Sequence, residues 1–136
     1  MIRDNKVSEK VELKGYLTPE ALRKLTPTAM LGLTLFEPTG LNQYHCLLNR
    51  FFDYIMAGIP QVGMAYPEYK IINEKYEVAM LIDDSKEDTI AGALNNLLSN
   101  TVVYSVLQHN CLKARTVLNR EMEENELIAY YKNIIK

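Results

Sequence analysis

Asn49, Arg50 and Asp53 stand together in the segment NRFFDYIMAGIPQVG (49–63), directly before a Gly-x-Pro break. On a helical pattern they fall at i, i+1 and i+4, on a different face from the apolar Leu48, Phe51, Phe52 and Ile55 at i, i+3, i+4 and i+7. A helix starting here follows a polar loop, and its first turn offers free N–H groups and a partial positive charge suited to an anion such as phosphate. The other reading of the same residues is a solvated face with an Arg50–Asp53 pair worth about a few tenths of a kcal/mol. Two histidines lie near the two cysteines, as His45-Cys46 and His109-x-Cys111. Neighbouring ligands such as His45 and Cys46 are poorly placed to close on one metal, and neither pair has finger spacing, so buried or idle thiols are expected and a zinc site is not.

The surrounding chain must position these groups. Its 136 residues suit one domain with a core of its own. Apolar residues at 48% and charged residues at 24% describe an ordinary globular protein. A net charge of −2 without a Lys/Arg tract gives no grip on a nucleic-acid backbone, so no nucleic-acid partner is expected. No apolar run reaches the length of a membrane span, and MIRDNKVSEKVELKG (1–15) lacks a signal-peptide core, which makes the cytoplasm the expected compartment. The distant cysteines indicate no disulfide framework.

Strand-like and helix-like segments alternate. KVELKG (10–15) reads as a short strand ended by glycine. TPEALRKL opens with Thr18 as N-cap and Pro19 at the first helical position. AMLGLTLF (29–36) is a continuous apolar run, as in a strand buried on both faces. After the loop EPTGLNQYHCLLN and the helix already described come the strand PQVGMAY, the helix PEYKIINEK and the strand YEVAMLIDD. SKEDTIAGALNNLLSN carries Ser85 and Asp88 as a variant capping box, with Ile90, Ala91, Leu94, Leu97 and Leu98 at helical spacing. From Thr101 on the pattern is helical, with Val103, Val106, Leu107, Cys111, Leu127, Tyr130, Tyr131 and Ile134 as inward positions. This order predicts an α/β, Rossmann-like parallel sheet with helices on both faces. Ligands of such sheets bind beyond the carboxyl ends of the strands, which is where loop 36–47 lies.

Taken in order, these segments resemble the C-terminal nucleotide-sugar-binding domain of group 1 glycosyltransferases of the GT-B fold. NRFFDYIMAGIPQV is similar to that family's P-x-K/R-x-F-E-Y-M-A-A-G-x-P-V segment. VELKGYLTPEALRKLTPTAMLGLTLFEP resembles its strand, glycine, helix and Ala-started strand ending at the active-site loop. MAYPEYKIINEKYEVAMLIDDSKEDTIAGALNNLLSN resembles the units that follow, and LNREMEENELIAYYKNI its closing helix, with Arg120 where tryptophan is common. The resemblance covers Val11 to Ile135 and rests on the ordered set of segments, not on one motif.

The resemblance implies that residues 1–136 are a partial donor-binding domain, lacking the first strand–helix units of the complete fold. It implies binding of a nucleotide-diphosphate sugar for transfer to an acceptor hydroxyl, with no cofactor or metal, since basic groups and helix N-termini balance the diphosphate. Asp53 corresponds to the family's glutamate that takes the ribose hydroxyls, a task a carboxylate suits by accepting two hydrogen bonds from a vicinal diol. Asn49 and Arg50 correspond to residues near the donor phosphates. His45 stands where the family often has a glutamate near the sugar, Glu37 lies in the sugar-facing loop, and Tyr16 and Leu17 fall in the loop that seats the base. A loop histidine without a role and simple packing of Tyr16 and Leu17 are the alternatives. The family's Gly-rich stretch is absent. The implied partners are the donor and the remainder of the glycosyltransferase with its N-terminal acceptor domain, without which the isolated chain is expected to be inactive. Two rivals stand beside this reading: a non-catalytic α/β interaction module and an inactive glycosyltransferase remnant. An exposed sheet edge, left where the missing strands would sit, offers a homo-oligomer contact.

Overall fold

The computed structural model describes residue 7 and residues 9–135; residues 1–6, part of the stretch read as lacking a signal-peptide core, lie outside the described residues. Helix α1 (Pro19–Leu25) starts as expected, with Thr18 Oγ1 accepting from the Ala21 N–H at 3.3 Å and Pro19 in the first turn. A 3₁₀ turn (Thr26–Thr28) leads into β1 (Gly32–Thr34), followed by α2 (Leu41–Tyr44), α3 (Asn49–Ala57) and β2 (Gln61–Met64). Then come α4 (Pro67–Tyr76), β3 (Ala79–Ile82), α5 (Glu87–Ser99), α6 (Thr101–Ala114) and α7 (Arg120–Ile134).

The strands form one parallel sheet in the order β1-β2-β3, with Gly32 opposite Gln61 and Gly63 opposite Leu81. Both crossovers step in the same direction, so right-handed connections bring α3 and α4 to one face. Helix α5 covers β2 and β3 from the other with Ala93 and Leu97. The α/β, Rossmann-like arrangement with helices on both faces is therefore the one observed.

Alternation along the strands divides the core. Gly32, Thr34, Gln61 and Gly63 face α3, whose Phe51 and Ile55 are fully buried. Gly32 has no side chain because the Tyr54 ring of α3 lies where a Cβ would stand. The Gln61 amide, fully buried, joins three elements: its Oε1 accepts from Thr34 Oγ1 at 2.8 Å, and its Nε2 donates to the Phe51 carbonyl at 3.0 Å. Helix α3 stops at Gly58, in the left-handed region at φ 72°, where the Gly58 N–H reaches the Ile55 carbonyl and the Ile59 N–H the Tyr54 carbonyl. This paired bonding is the Schellman ending, and it explains the glycine of the Gly-x-Pro break.

Helix α6 runs across the amino ends of all three strands. Tyr104 donates its hydroxyl to the Met30 carbonyl before β1, and Asn110 Nδ2 donates to the Glu77 carbonyl before β3 at 3.0 Å. Cys111 Sγ donates to the Val78 and Ile59 carbonyls at 3.4 and 3.8 Å, before β3 and β2. Burial pushes the Cys111 thiol up to about 11, so it is an inert core group at neutral pH. On the outer edge of β3, Asn73 takes the place of a strand. Its Oδ1 accepts from the Val78 and Ala79 N–H groups and its Nδ2 donates to the Ala79 carbonyl.

Three sequence expectations are corrected. The segment 10–15 forms no strand; Val11 and Leu13 alternate as expected but are exposed, and among the described residues no strand lies beside them to share hydrogen bonds. Ser85 does not cap α5, because its hydroxyl turns to Glu37, and Lys86 is the N-cap residue. Asp84 organises the turn instead, accepting from the Lys86 N–H at 3.0 Å. Of the inward positions, Leu97, Leu107 and Cys111 are buried, and Ile90, Leu94 and Val103 pack partly against the core. Ala91, Leu98 and Val106 are exposed, as are Leu127, Tyr130, Tyr131 and Ile134, since α7 has no buried residue. Helical spacing reveals an apolar stripe without saying what covers it.

Two tests follow from this architecture. Replacing Thr34 with valine strands Gln61 Oε1 in the core and is expected to cost about 1–3 kcal/mol, read by urea unfolding. The Asp84 carboxyl lies below its ordinary value of 3.8, held there first by the Thr89 hydroxyl and then by the Lys86 backbone N–H. Its ionised form is favoured by folding, so its contribution is present above about 4 and lost as the pH falls through the lower folded value. The gap in melting temperature between the parent and Asp84→Asn should therefore shrink as the pH falls from about 5 toward 2; a constant gap would contradict this assignment.

Candidate functional site

Three loops meet at the carboxyl ends of the strands. After β1 come Leu35, Phe36 and Glu37, after β2 Ala65 and Tyr66 with Glu68 in the first turn of α4, and after β3 Asp83, Asp84 and Ser85. Aromatic rings fill the space beneath them. Phe36 meets Tyr66 edge-on at 5.1 Å between centroids, Tyr44 of α2 lies 5.2 Å from Tyr66, and Tyr69 lies 4.8 Å from Phe51. The Tyr66 hydroxyl donates to the Phe36 carbonyl at 2.8 Å, which ties the end of β2 to the end of β1. Burial, and then the negative charge of Glu37, raise the Tyr66 phenol above its ordinary value of 10.0.

Polar groups rim this floor. Ser85 Oγ donates to Glu37 Oε1 at 3.0 Å, bridging the loops after β3 and β1 across the position of β2. His45 Nδ1 lies 3.7 Å from Glu68 Oε1, with its ring edge-on to Tyr44 at 5.1 Å. Lys70 Nζ approaches Asp83 Oδ1 at 3.9 Å. Helix α3 is anchored to the same edge because the Leu48 N–H, at its N-cap, donates to the buried Tyr69 hydroxyl at 2.9 Å. Burial raises the Tyr69 phenol, and this bond from Leu48 partly offsets the shift.

The structure brings some of the sequence-derived candidates together and not others. Glu37 and His45 belong to the rim. Asn49 and Arg50 open α3 at that edge, and Asp53 follows one turn later; all three are exposed, on the helix face turned from the sheet. Among the described residues there is no Arg50–Asp53 ion pair, and no hydrogen bond to any of these three side chains. Tyr16 is 90% exposed and Leu17 half-buried, in the extended segment before α1. Among the described residues, no hydrogen bond or ring contact links either one to the rim.

The sequence alone does not single out Tyr44, Tyr66, Glu68 or Tyr69, and it offers Ser85 only as a cap. A usable signal existed for Tyr66 and Ser85, since each lies just past the end of an apolar strand, where a parallel sheet presents its ligand-facing loops. Tyr69 carries no such signal, because its role depends on which backbone N–H its hydroxyl meets. Among the described residues, no group of three or more His, Cys, Asp or Glu side chains is placed to hold a metal, and no helix is long and apolar enough to cross a membrane. Compared with known proteins, the chain has no significant match to a family model, to a curated protein or to a solved structure.

Proposed function

We propose that this chain is a donor-binding domain of the group 1 glycosyltransferase type, taking a nucleotide-diphosphate sugar at the carboxyl edge of its sheet. The observation that carries the reading is the setting of α3. The helix begins at that edge, tied down through Tyr69, and its Asn49, Arg50 and Asp53 side chains are exposed and unengaged among the described residues. In this reading Asn49 and Arg50 meet the diphosphate, where a guanidinium and free helix N–H groups favour anionic oxygens. Asp53 accepts from the ribose diol, Glu37 and His45 face the sugar, and Tyr16 and Leu17 close over the base. No metal takes part, and the acceptor comes with the N-terminal domain of a complete enzyme, in the cytoplasm.

A second reading, an inactive remnant acting through protein contacts, draws support from the outer edge of β1, which is open among the described residues, and expects no nucleotide binding at all. Titration of the chain with UDP-, GDP- and ADP-sugars separates the two, and absence of binding to all of them would sink the donor reading. Asp53→Asn should weaken nucleotide binding roughly tenfold to a hundredfold while leaving stability nearly unchanged, the range expected for one charge-assisted hydrogen bond. Equal affinities for parent and variant would remove Asp53 from the ribose role.

A further inference from the structure

The two edges of the sheet differ. The outer backbone of β3 is occupied at Ala79 by Asn73, and the Lys70–Asp83 pair stands at its far end. Among the described residues, the outer edge of β1 has no such cover. Gly32 donates to the Pro60 carbonyl, so Gly32 and Thr34 direct their backbone groups at β2. Alternation then turns the N–H and C=O groups of Leu31, Leu33 and Leu35 outward, where none has a backbone partner among the described residues outside the ladder. The same alternation sends these three leucine side chains to the face opposite α3, and Leu33 is 37% exposed there because α5 covers β2 and β3.

The segments that supply β1 and most of α5 and α6 carry no charged side chains. In a chain with 24% charged residues, 26–36 contains no Asp, Glu, Lys or Arg, and neither does 89–112. The second stretch supplies most of α5 and of α6, which meet β1 at a groove formed by Met30, Leu98 and Tyr104. Met30 is 68% exposed, Val102 on the adjoining surface of α6 is 72% exposed, and Leu98 and Val106 are also exposed.

We infer that this surface binds a second copy of the chain, with the two β1 strands pairing antiparallel about a two-fold axis at Leu33. The geometry is self-complementary. With Leu33 opposite its own copy and Leu31 opposite Leu35, the outward groups of all three leucines pair reciprocally, and their side chains form one apolar row across the axis. A two-fold contact sets each patch against itself, so a charge close to the axis would meet a like charge, and the charge-free stretch 26–36 around Leu33 avoids that repulsion. A strand this short is a small interface by itself, since stable dimers bury about 800 Å² per partner, and the flanking apolar groove supplies further surface. The contact uses the edge of β1 where further strands of a complete donor domain would sit, so it is an inference about this 136-residue chain. Its test reads association and leaves donor binding, whose candidates lie at the carboxyl ends, to a separate titration.

The test is the mass of the full 136-residue chain, measured by sedimentation across a range of concentrations. The parent should be dimeric. Leu33→Lys and, separately, Leu98→Lys should each raise the dissociation constant, Leu33→Lys by at least about a hundredfold, with far-UV circular dichroism unchanged. Amide exchange at Leu33 gives a readout on the parent that does not depend on a variant folding: protection should rise with protein concentration. A parent that stays monomeric overturns the inference. So does a dimer that survives Leu33→Lys but is lost with Tyr131→Lys, which would assign the contact to the exposed face of α7. Leu33 protection independent of concentration overturns it too, pointing to a segment of the same chain, such as 10–15, on that edge.

Discussion

A neutral amide in the dry centre of the molecule fixes how its layers meet. The Gln61 side chain, the first of β2, is tied to the Thr34 hydroxyl on β1 and to the Phe51 carbonyl on α3. An apolar residue there would fill the space but would tolerate many orientations of α3 over the sheet. The amide tolerates few, because a buried polar group without its partners costs more than the net worth of the bond it makes. Register between β1 and β2 and the seating of α3 are thereby set by one side chain, and a fully satisfied network of this kind favours a single core arrangement.

The carboxyl edge inherits its shape from that arrangement. Once α3 is seated, its start falls beside Tyr69 of α4, whose hydroxyl takes the Leu48 N–H and leaves the polar face of the helix turned outward. Phe36, Tyr44 and Tyr66 form the floor between the loops, and the Ser85–Glu37 bond spans the floor from one outer strand to the other. The rim is thus held by contacts between loops, while α3 is held by the core. The amino edge is built differently, closed by the buried Cys111 and the amide of Asn110 on α6. The amino end of the sheet is closed mainly by neutral hydrogen-bonding groups of α6, while the His45–Glu68 and Lys70–Asp83 contacts stand at the carboxyl end.

Much of the fold was legible in the sequence because its signals are local. Thr18-Pro19 marks a helix start through the bonds of a single turn, Gly58 marks a helix end through a backbone angle, and the apolar run at Gln61–Met64 marks a strand buried on both faces. The run 29–36, expected to be buried in the same way, forms the short β1 with Leu33 exposed on one face. Failures came where the outcome depends on a distant partner. Val11 and Leu13 have the alternation of a strand, but a strand exists only if another lies beside it. Ser85 has the position of a cap, but Glu37, remote in sequence, claims its hydroxyl. Leu127 and Tyr131 have helical spacing, and nothing local says whether the stripe is covered. The site follows the same rule: Glu37 and His45 were legible as loop residues past a strand, whereas Tyr69 entered only through a contact made across two elements.

The amide of Asn73, set against the outer backbone of Ala79, has a consequence for how such chains can associate. A sheet with two open edges can add a neighbour on each side and grow without limit, as fibrils do. Here one edge is occupied at Ala79 by a side chain from its own helix and flanked by the Lys70 and Asp83 charges, which leaves the edge of β1 as the more open one among the described residues. Pairing at the remaining edge consumes it in both molecules, and an assembly formed that way terminates itself at its first step.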